Sequence, residues 1–321
     1  MNRSLLLDLL RIFAISLVFV AHFGQLLGHP AGDFFGIKNF YYVSWGGVGV
    51  SLFLVLSGIL AGLTDGNRNI GYLTYLIKKI LRIYPLYLMS VLIAVVGTLL
   101  ASLLLNGHLP ELFPNGFATD LGGSVTGFYA WFGLWGGPYN PPSWFIGLIM
   151  ALYAVTLPLI YLMKRQPHIT LAVLLGVSVA SRWYVGQEGL SFFDASLYDQ
   201  LKGWAYRQFG FMPGRPTDWF PLCRVFEFGL GIYLATVLPR QFWFGFSLPM
   251  TRPVVVLSDL SFPLFLIHFP FLFVIVLLKD WSVPTWLAIG LYMVFITMIA
   301  LWINRIDGRF PRKQIERRLV G

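Results

Sequence analysis

The chain has 321 residues, 57% of them hydrophobic and only 12% charged, with a mean hydropathy of +0.72. A soluble domain carries about 45–50% apolar and about 25% charged residues, so a water-soluble enzyme, a disordered chain and a secreted disulfide scaffold are excluded in favour of an integral membrane protein. The net charge of +9 comes from 23 Lys and Arg against 14 Asp and Glu; these basic residues fall between and after apolar runs, where they mark a membrane surface rather than a nucleic-acid face.

A spanning helix needs about 20 predominantly apolar residues. The runs that qualify are 5–27, 44–63, 72–105, 143–163, 169–185, 219–238, 260–278 and 284–303. The first is too long for a signal peptide, carries Asp8 and Arg11 inside it and has no A-x-A site after it, so it is expected to stay as the first helix. The segments 122–136 and 242–257 are apolar but short or interrupted, and stand either as re-entrant or interfacial pieces or as a ninth and tenth span. The fold expected is therefore all-α, a polytopic transmembrane helix bundle of eight to ten spans.

Orientation follows from the basic residues. With Arg3 inside, Arg68, Lys78, Lys79, Arg82, Lys164, Arg165, Arg240 and the tail from 304 (Arg305, Arg309, Arg312, Lys313, Arg317, Arg318) are inside too. Eight full spans satisfy this pattern with both termini cytoplasmic. The organisation expected is one membrane domain, 1–303, and a basic cytoplasmic tail, 304–321. The long connections 28–43, 106–121 and 186–218 then lie outside. The last holds Tyr198, Trp204, Tyr206 and the run Phe211-Met212-Pro213-Gly214-Arg215-Pro216, with Trp219 just beyond. Aromatic rings among polar groups suit a sugar-binding mouth, and an interfacial aromatic belt accounts for them equally well.

Ionisable residues inside a membrane helix are costly and are candidates for function. The first helix has Asp8, Arg11 and His22. Eleven residues at about 100° each return to within about 20° of three full turns, so Arg11 and His22 share one face, about 16 Å apart along the axis. His22 is either a base or a hydrogen-bonded packing residue. In the second helix Ser57 and Gly58 form either a close packing site or a pocket wall. The third opens with Lys78-Lys79-Ile80-Leu81-Arg82-Ile83-Tyr84-Pro85, where Lys79 and Arg82, i and i+3, share a face. Pro85 is placed to kink the helix and open a cleft. This basic cluster serves either the positive-inside rule or a clamp for a phosphorylated anion. Arg224 and Glu227, again i and i+3, form a structural ion pair or a substrate contact. His268, between Pro263 and Pro270, is a second candidate base or ligand, or a cap on a helix break.

Several sites are missing. No P-loop, H-E-x-x-H or G-x-S-x-G motif occurs, and five scattered histidines with the single cysteine, Cys223, offer no metal spacing and no internal disulfide.

Taken together, these segments resemble the acyltransferase 3 family of membrane O-acyltransferases. Leu7-Asp8-Leu9-Leu10-Arg11 followed by His22 is similar to its first-helix signature, and Phe53-Leu54-Val55-Leu56-Ser57-Gly58 to its F-F-x-x-S-G, with Leu54 replacing an aromatic. Lys79-Ile80-Leu81-Arg82 resembles R-x-x-R, and Arg82 to Tyr87 resembles R-x-x-P-L-Y. Ser143 to Tyr153, Arg224 to Gly231 and Ser261 to Pro270 follow in the family's order. One departure is Ile149, where many members have glutamate; another is Lys79, a point charge in place of a planar fork.

The resemblance implies acyl transfer, most commonly acetyl, from cytoplasmic acyl-CoA to a hydroxyl of an extracytoplasmic or lipid-linked glycan. It implies no permanently bound cofactor, with acyl-CoA as donor substrate, in a bacterial cytoplasmic (inner) membrane. His22 is then the general base or the acyl carrier, Arg11 its companion and Ser57 an oxyanion-type donor. Lys78, Lys79, Arg82 and Tyr84 take the donor, and Arg224, Glu227 and His268 contact the acceptor. The competing readings are an exporter of a glycan or small molecule whose charges line a path, and a structural subunit.

Overall fold

The computed structural model describes residues 3–27, 45–65, 71–132, 138–188, 216–245 and 252–320. They form helices, with no strand among the described residues. In chain order these are α1 (Leu5–Leu26), α2 (Trp45–Asp65), α3 (Tyr72–Asn106), α4 (Phe117–Thr126), α5 (Trp144–Ala154), α6 (Thr156–Arg165), α7 (Pro167–Glu188), α8 (Pro221–Val237), α9 (Arg240–Phe244), α10 (Arg252–Ile267), α11 (Phe273–Asp280), α12 (Thr285–Gly308) and α13 (Arg312–Val320). Single helical turns occupy Tyr129–Phe132, Pro141–Ser143, Pro216–Trp219 and Phe269–Phe271.

Six of these helices are long and apolar enough to cross a bilayer: α1, α2, α3, α7, α8 (with the turn before it) and α12. Two further pairs, α5 with α6 and α10 with α11, are bent by 51° and 68°, giving up to eight spans if each pair counts as one. Proline explains both breaks. Pro158 and Pro270 have no N–H for the carbonyls of Ala154 and Leu266, four residues earlier, and their rings crowd those carbonyls. The lipid-facing side is clearest on α12. There Leu287, Leu291, Val294, Met298 and Trp302 are exposed at helical spacing, while Ala288, Tyr292, Ile296, Ala300 and Ile303 are buried. Exposed Trp286 and Trp302 stand about 24 Å apart along the axis.

The chain forms two compact units. The first comprises Met1–Ile70, Ala151–Gly189 and Phe220–Ser261; the second comprises Gly71–Met150, Leu190–Trp219 and Phe262–Gly321. In the first, Leu7, Leu56, Ile59 and Trp243 make a buried apolar cluster that joins α1, α2 and α9. The closest crossing is between α2 and α8. A Cβ added to Gly58 would lie 2.0 Å from the Phe228 carbonyl oxygen, and one added to Gly231 would lie 2.0 Å from that of Val55. In lipid, where apolar burial gives little drive, such small residues let backbones approach and gain dispersion contacts. The packing reading therefore holds at Gly58; Ser57 beside it is half-buried.

In the second unit the segment after α3 folds back into the protein. The Ser102 hydroxyl donates to the carbonyl of His108, and that of Thr98 to the carbonyl of Tyr139. Between those points α4 descends until Tyr84 and Tyr87 donate to the carbonyls of Thr126 and Ser124, at 2.7 and 2.5 Å. Thr98 and Tyr84 are about 21 Å apart along α3. Of the 122–136 segment, residues 122–132 are described, as the end of α4 and the turn Tyr129–Phe132, and 133–137 lie outside the described residues; α4, at ten residues, is about 15 Å long. The last carbonyls of a helix have no intrahelical donor, and inside a membrane the two tyrosine hydroxyls supply it. The 242–257 segment contributes α9 and the start of α10; its residues 246–251, like the expected loops 28–43 and most of 186–218 with Tyr198, Trp204, Tyr206 and Phe211 to Arg215, lie outside the described residues.

Candidate functional site

The first unit holds His22, Arg11, Ser57, Arg224 and Glu227; the second holds Lys78, Lys79, Arg82, Tyr84 and His268. Along α1, Ser4, Leu7, Arg11, Ala14, Ile15, Val18 and His22 fall on one stripe at helical spacing. Five of these are buried, Arg11 and His22 are half-buried, and the opposite face (Leu9, Phe13, Ser16, Val20) is exposed. Because α1 is unbroken, the common face expected for Arg11 and His22 holds, with about 16 Å between them. The two are therefore separate stations on one buried face rather than touching partners.

Arg11 is held at its own end of the helix. Asp8, 1% exposed, accepts from Arg3 Nε at 2.6 Å, from Arg11 Nη1 at 3.0 Å and from the Ser258 hydroxyl at 2.6 Å. Arg3 also donates to both oxygens of Asp259, at 3.1 and 2.9 Å, and to the Val255 carbonyl at 3.1 Å. Hydrogen bonds to Asp8 first, and to Asp259 next, raise the Arg3 pKa above its ordinary value. The Ser4 hydroxyl accepts from Leu7 N at 3.4 Å, capping α1, and donates to the Trp243 carbonyl.

A second charged cluster joins α2, α7 and α8. Arg224, 5% exposed, meets Glu227 at 3.3 Å as the i,i+3 spacing predicts, and donates to the Ser51 hydroxyl at 3.1 Å. Arg182 completes it, with Nη2 2.5 Å from the same Glu227 oxygen and Nε donating to the Cys223 carbonyl at 2.7 Å. The Ser178 hydroxyl donates to that carbonyl too, at 2.6 Å. Sequence reasoning missed Arg182. The rule applied to Arg11, that a charge within an apolar span is a candidate, also flags a residue within 169–185.

In the second unit the basic run of α3 separates by environment. Lys78 pairs with Glu316 of α13 at 3.0 Å, both about one-third exposed. Lys79 is 7% exposed, with its ammonium 4.9 Å from the Tyr75 ring centroid, a cation–π contact. Arg82 is exposed. The three do not converge, although Lys79 and Arg82 are one turn apart. Tyr84 gives its hydroxyl to α4, as described above. His268 is fully buried at the 68° bend, with Nδ1 2.8 Å from the Phe265 carbonyl and 3.2 Å from that of Leu264, while its own carbonyl accepts from Tyr292 at 2.6 Å. A donor Nδ1–H puts the lone pair on Nε2, and the contacts are those of a cap on a broken helix. Ile149 is 2% exposed and packed in the apolar helix α5 with Ile146, Leu148 and Leu152. Among the described residues, no three His, Cys, Asp or Glu side chains are grouped to hold a metal ion.

Residues 5–252 match the family profile described as an acyltransferase domain, which takes in α1 to α9 and therefore His22, the α3 run and both charged clusters except Arg3, Ser258 and Asp259. The acyltransferase MdmB of Streptomyces mycarofaciens is 26% identical over 251 residues, 74% of this chain and 58% of that protein, so the chain spans a little over half of that relative's length. No solved structure matches it. With more than half its length matched by that profile, the chain belongs to the acyltransferase 3 family.

Proposed function

We propose that this protein is a membrane O-acyltransferase that moves an acyl group, with acetyl the first choice, from cytoplasmic acyl-CoA to a hydroxyl of an extracytoplasmic or lipid-linked glycan, in a bacterial inner membrane with both termini inside. The observation that carries the reading is that Arg11 and His22, both half-buried, stand on one face of α1, within the region matched to the family. His22 takes the proton of the acceptor hydroxyl. The oxygen attacks the thioester carbonyl carbon, the C–S bond breaks, and the sulfur leaves as the thiol of CoA after receiving a proton. Ser57 donates to the developing oxyanion.

The donor's phosphates are drawn to Lys78, Lys79 and Arg82 on α3, and the acceptor is contacted by Arg224 and Glu227 with Arg182 beside them. Arg11, held by Asp8 and Ser258, keeps the near end of the α1 face rigid. The experiment uses proteoliposomes supplied with labelled acetyl-CoA on one side and a glycan acceptor on the other. Label on the acceptor, released together with an equal amount of free CoA, is the expected result. Glycan movement that ignores acetyl-CoA would replace this reading with an exporter.

A further inference from the structure

Pro85 lies in the middle of α3, yet the helix runs without interruption from Tyr72 to Asn106. A proline at position 85 cannot donate to the carbonyl four residues before it, so Leu81 loses its regular intrahelical donor immediately before Arg82. Arg312, the first residue of α13, donates from Nε to that Leu81 carbonyl at 3.0 Å. Its guanidinium is oriented by Asp307, accepting at Nη1 through the backbone carbonyl at 2.9 Å and at Nη2 through the carboxylate. One turn further along α13, Glu316 holds Lys78. Two contacts thus tie α13 to the turn of α3 that carries Lys78, Lys79 and Arg82. Arg312 lies 60 residues beyond the end of the matched region at 252.

We propose that Arg312 is a positioning residue for the acyl donor: it supplies the hydrogen bond that Pro85 removes, and so sets the backbone of the α3 turn from which Lys78 and Arg82 reach the phosphates of acyl-CoA. The inference rests on the proposed function in taking α3 as the donor site. A charged donor makes a stronger hydrogen bond than a neutral one, and here it meets a part-buried carbonyl that lacks its regular partner. Lysine supplies the charge but not the fork that reaches Asp307 and Leu81 together.

The test is a double-mutant cycle on the full chain: wild type, Arg312→Gln, Pro85→Ala and the double variant. Two quantities are read: the Kd for acetyl-CoA, and the hydrogen exchange of amides 313–320. With Pro85 present, Arg312→Gln raises the Kd about tenfold. With Pro85→Ala, which returns an N–H to the Leu81 carbonyl, the same substitution raises it less than about twofold. Exchange in α13 accelerates in each single variant, and no further in the double. Equal effects of Arg312→Gln in both backgrounds, on either quantity, would overturn the role. Absence of acetyl-CoA binding by the well-folded wild type would instead overturn the donor reading beneath it.

Discussion

Arg11 and Lys78 are both basic residues on long apolar helices, and both meet a carboxylate at 3.0 Å. Around Asp8 the carboxylate is 1% exposed and receives two guanidinium groups and a hydroxyl; around Glu316 both partners are about one-third exposed and meet singly. Burial removes the competing water and raises both the attraction and the cost of losing a partner, whereas at the surface a single pair gains little over hydration. Geometry alike at first sight thus gives a structural lock in one place and a loosely held charge in the other. A phosphate can displace Glu316 from Lys78 far more easily than anything can displace Asp8 from Arg11.

Asp8→Asn leaves Arg3 and Arg11 facing a neutral amide in a buried site and is expected to cost about 3–5 kcal/mol, read by thermal denaturation in detergent. The half-exposed neighbour Asp259, altered to Asn, costs less than about 1 kcal/mol by the same measurement. Glu227→Gln sharpens the contrast from the second cluster, because Arg182 and Arg224 converge on one of its oxygens. With Glu227 more exposed than Asp8, a loss of about 2–4 kcal/mol is expected. The smallest effect belongs to Glu316→Gln. Stability changes by less than about 0.5 kcal/mol, and the acetyl-CoA Kd falls about twofold as Lys78 is freed, a gain that disappears at 0.5 M salt.

Much of this was legible in the sequence, for reasons that differ by residue. The apolar runs located six candidate spans and two bent helix pairs because the bilayer thickness fixes their length, and α12 starts within one residue of its run. Arg224 with Glu227 was legible because an i,i+3 spacing is a contact whenever the helix forms. The same spacing joins Asp8 to Arg11, a pairing the sequence offered and the reading of α1 by its Arg11–His22 face passed over. The Arg3–Asp259 contact was not legible, since 256 residues separate the partners and nothing local requires them to meet. The docking of α4 on α3 was also beyond hydropathy, which measures how apolar a segment is and not which tyrosine hydroxyls satisfy the end of a neighbouring helix. At Pro85 the sequence suggested a kink and a cleft; what it did not show is that Arg312, 231 residues from Leu81, donates to the carbonyl that Pro85 leaves without its regular donor.

On the proposed function, the inward face of α1 carries chemistry at His22 as well as packing. The most direct test is the rate of acetyl transfer by purified protein beside His22→Gln, with melting temperature and acetyl-CoA binding measured on the same samples. The account predicts a rate loss of at least about 100-fold with melting temperature and donor binding unchanged. A folded His22→Gln protein that transfers acetyl at the wild-type rate would contradict it.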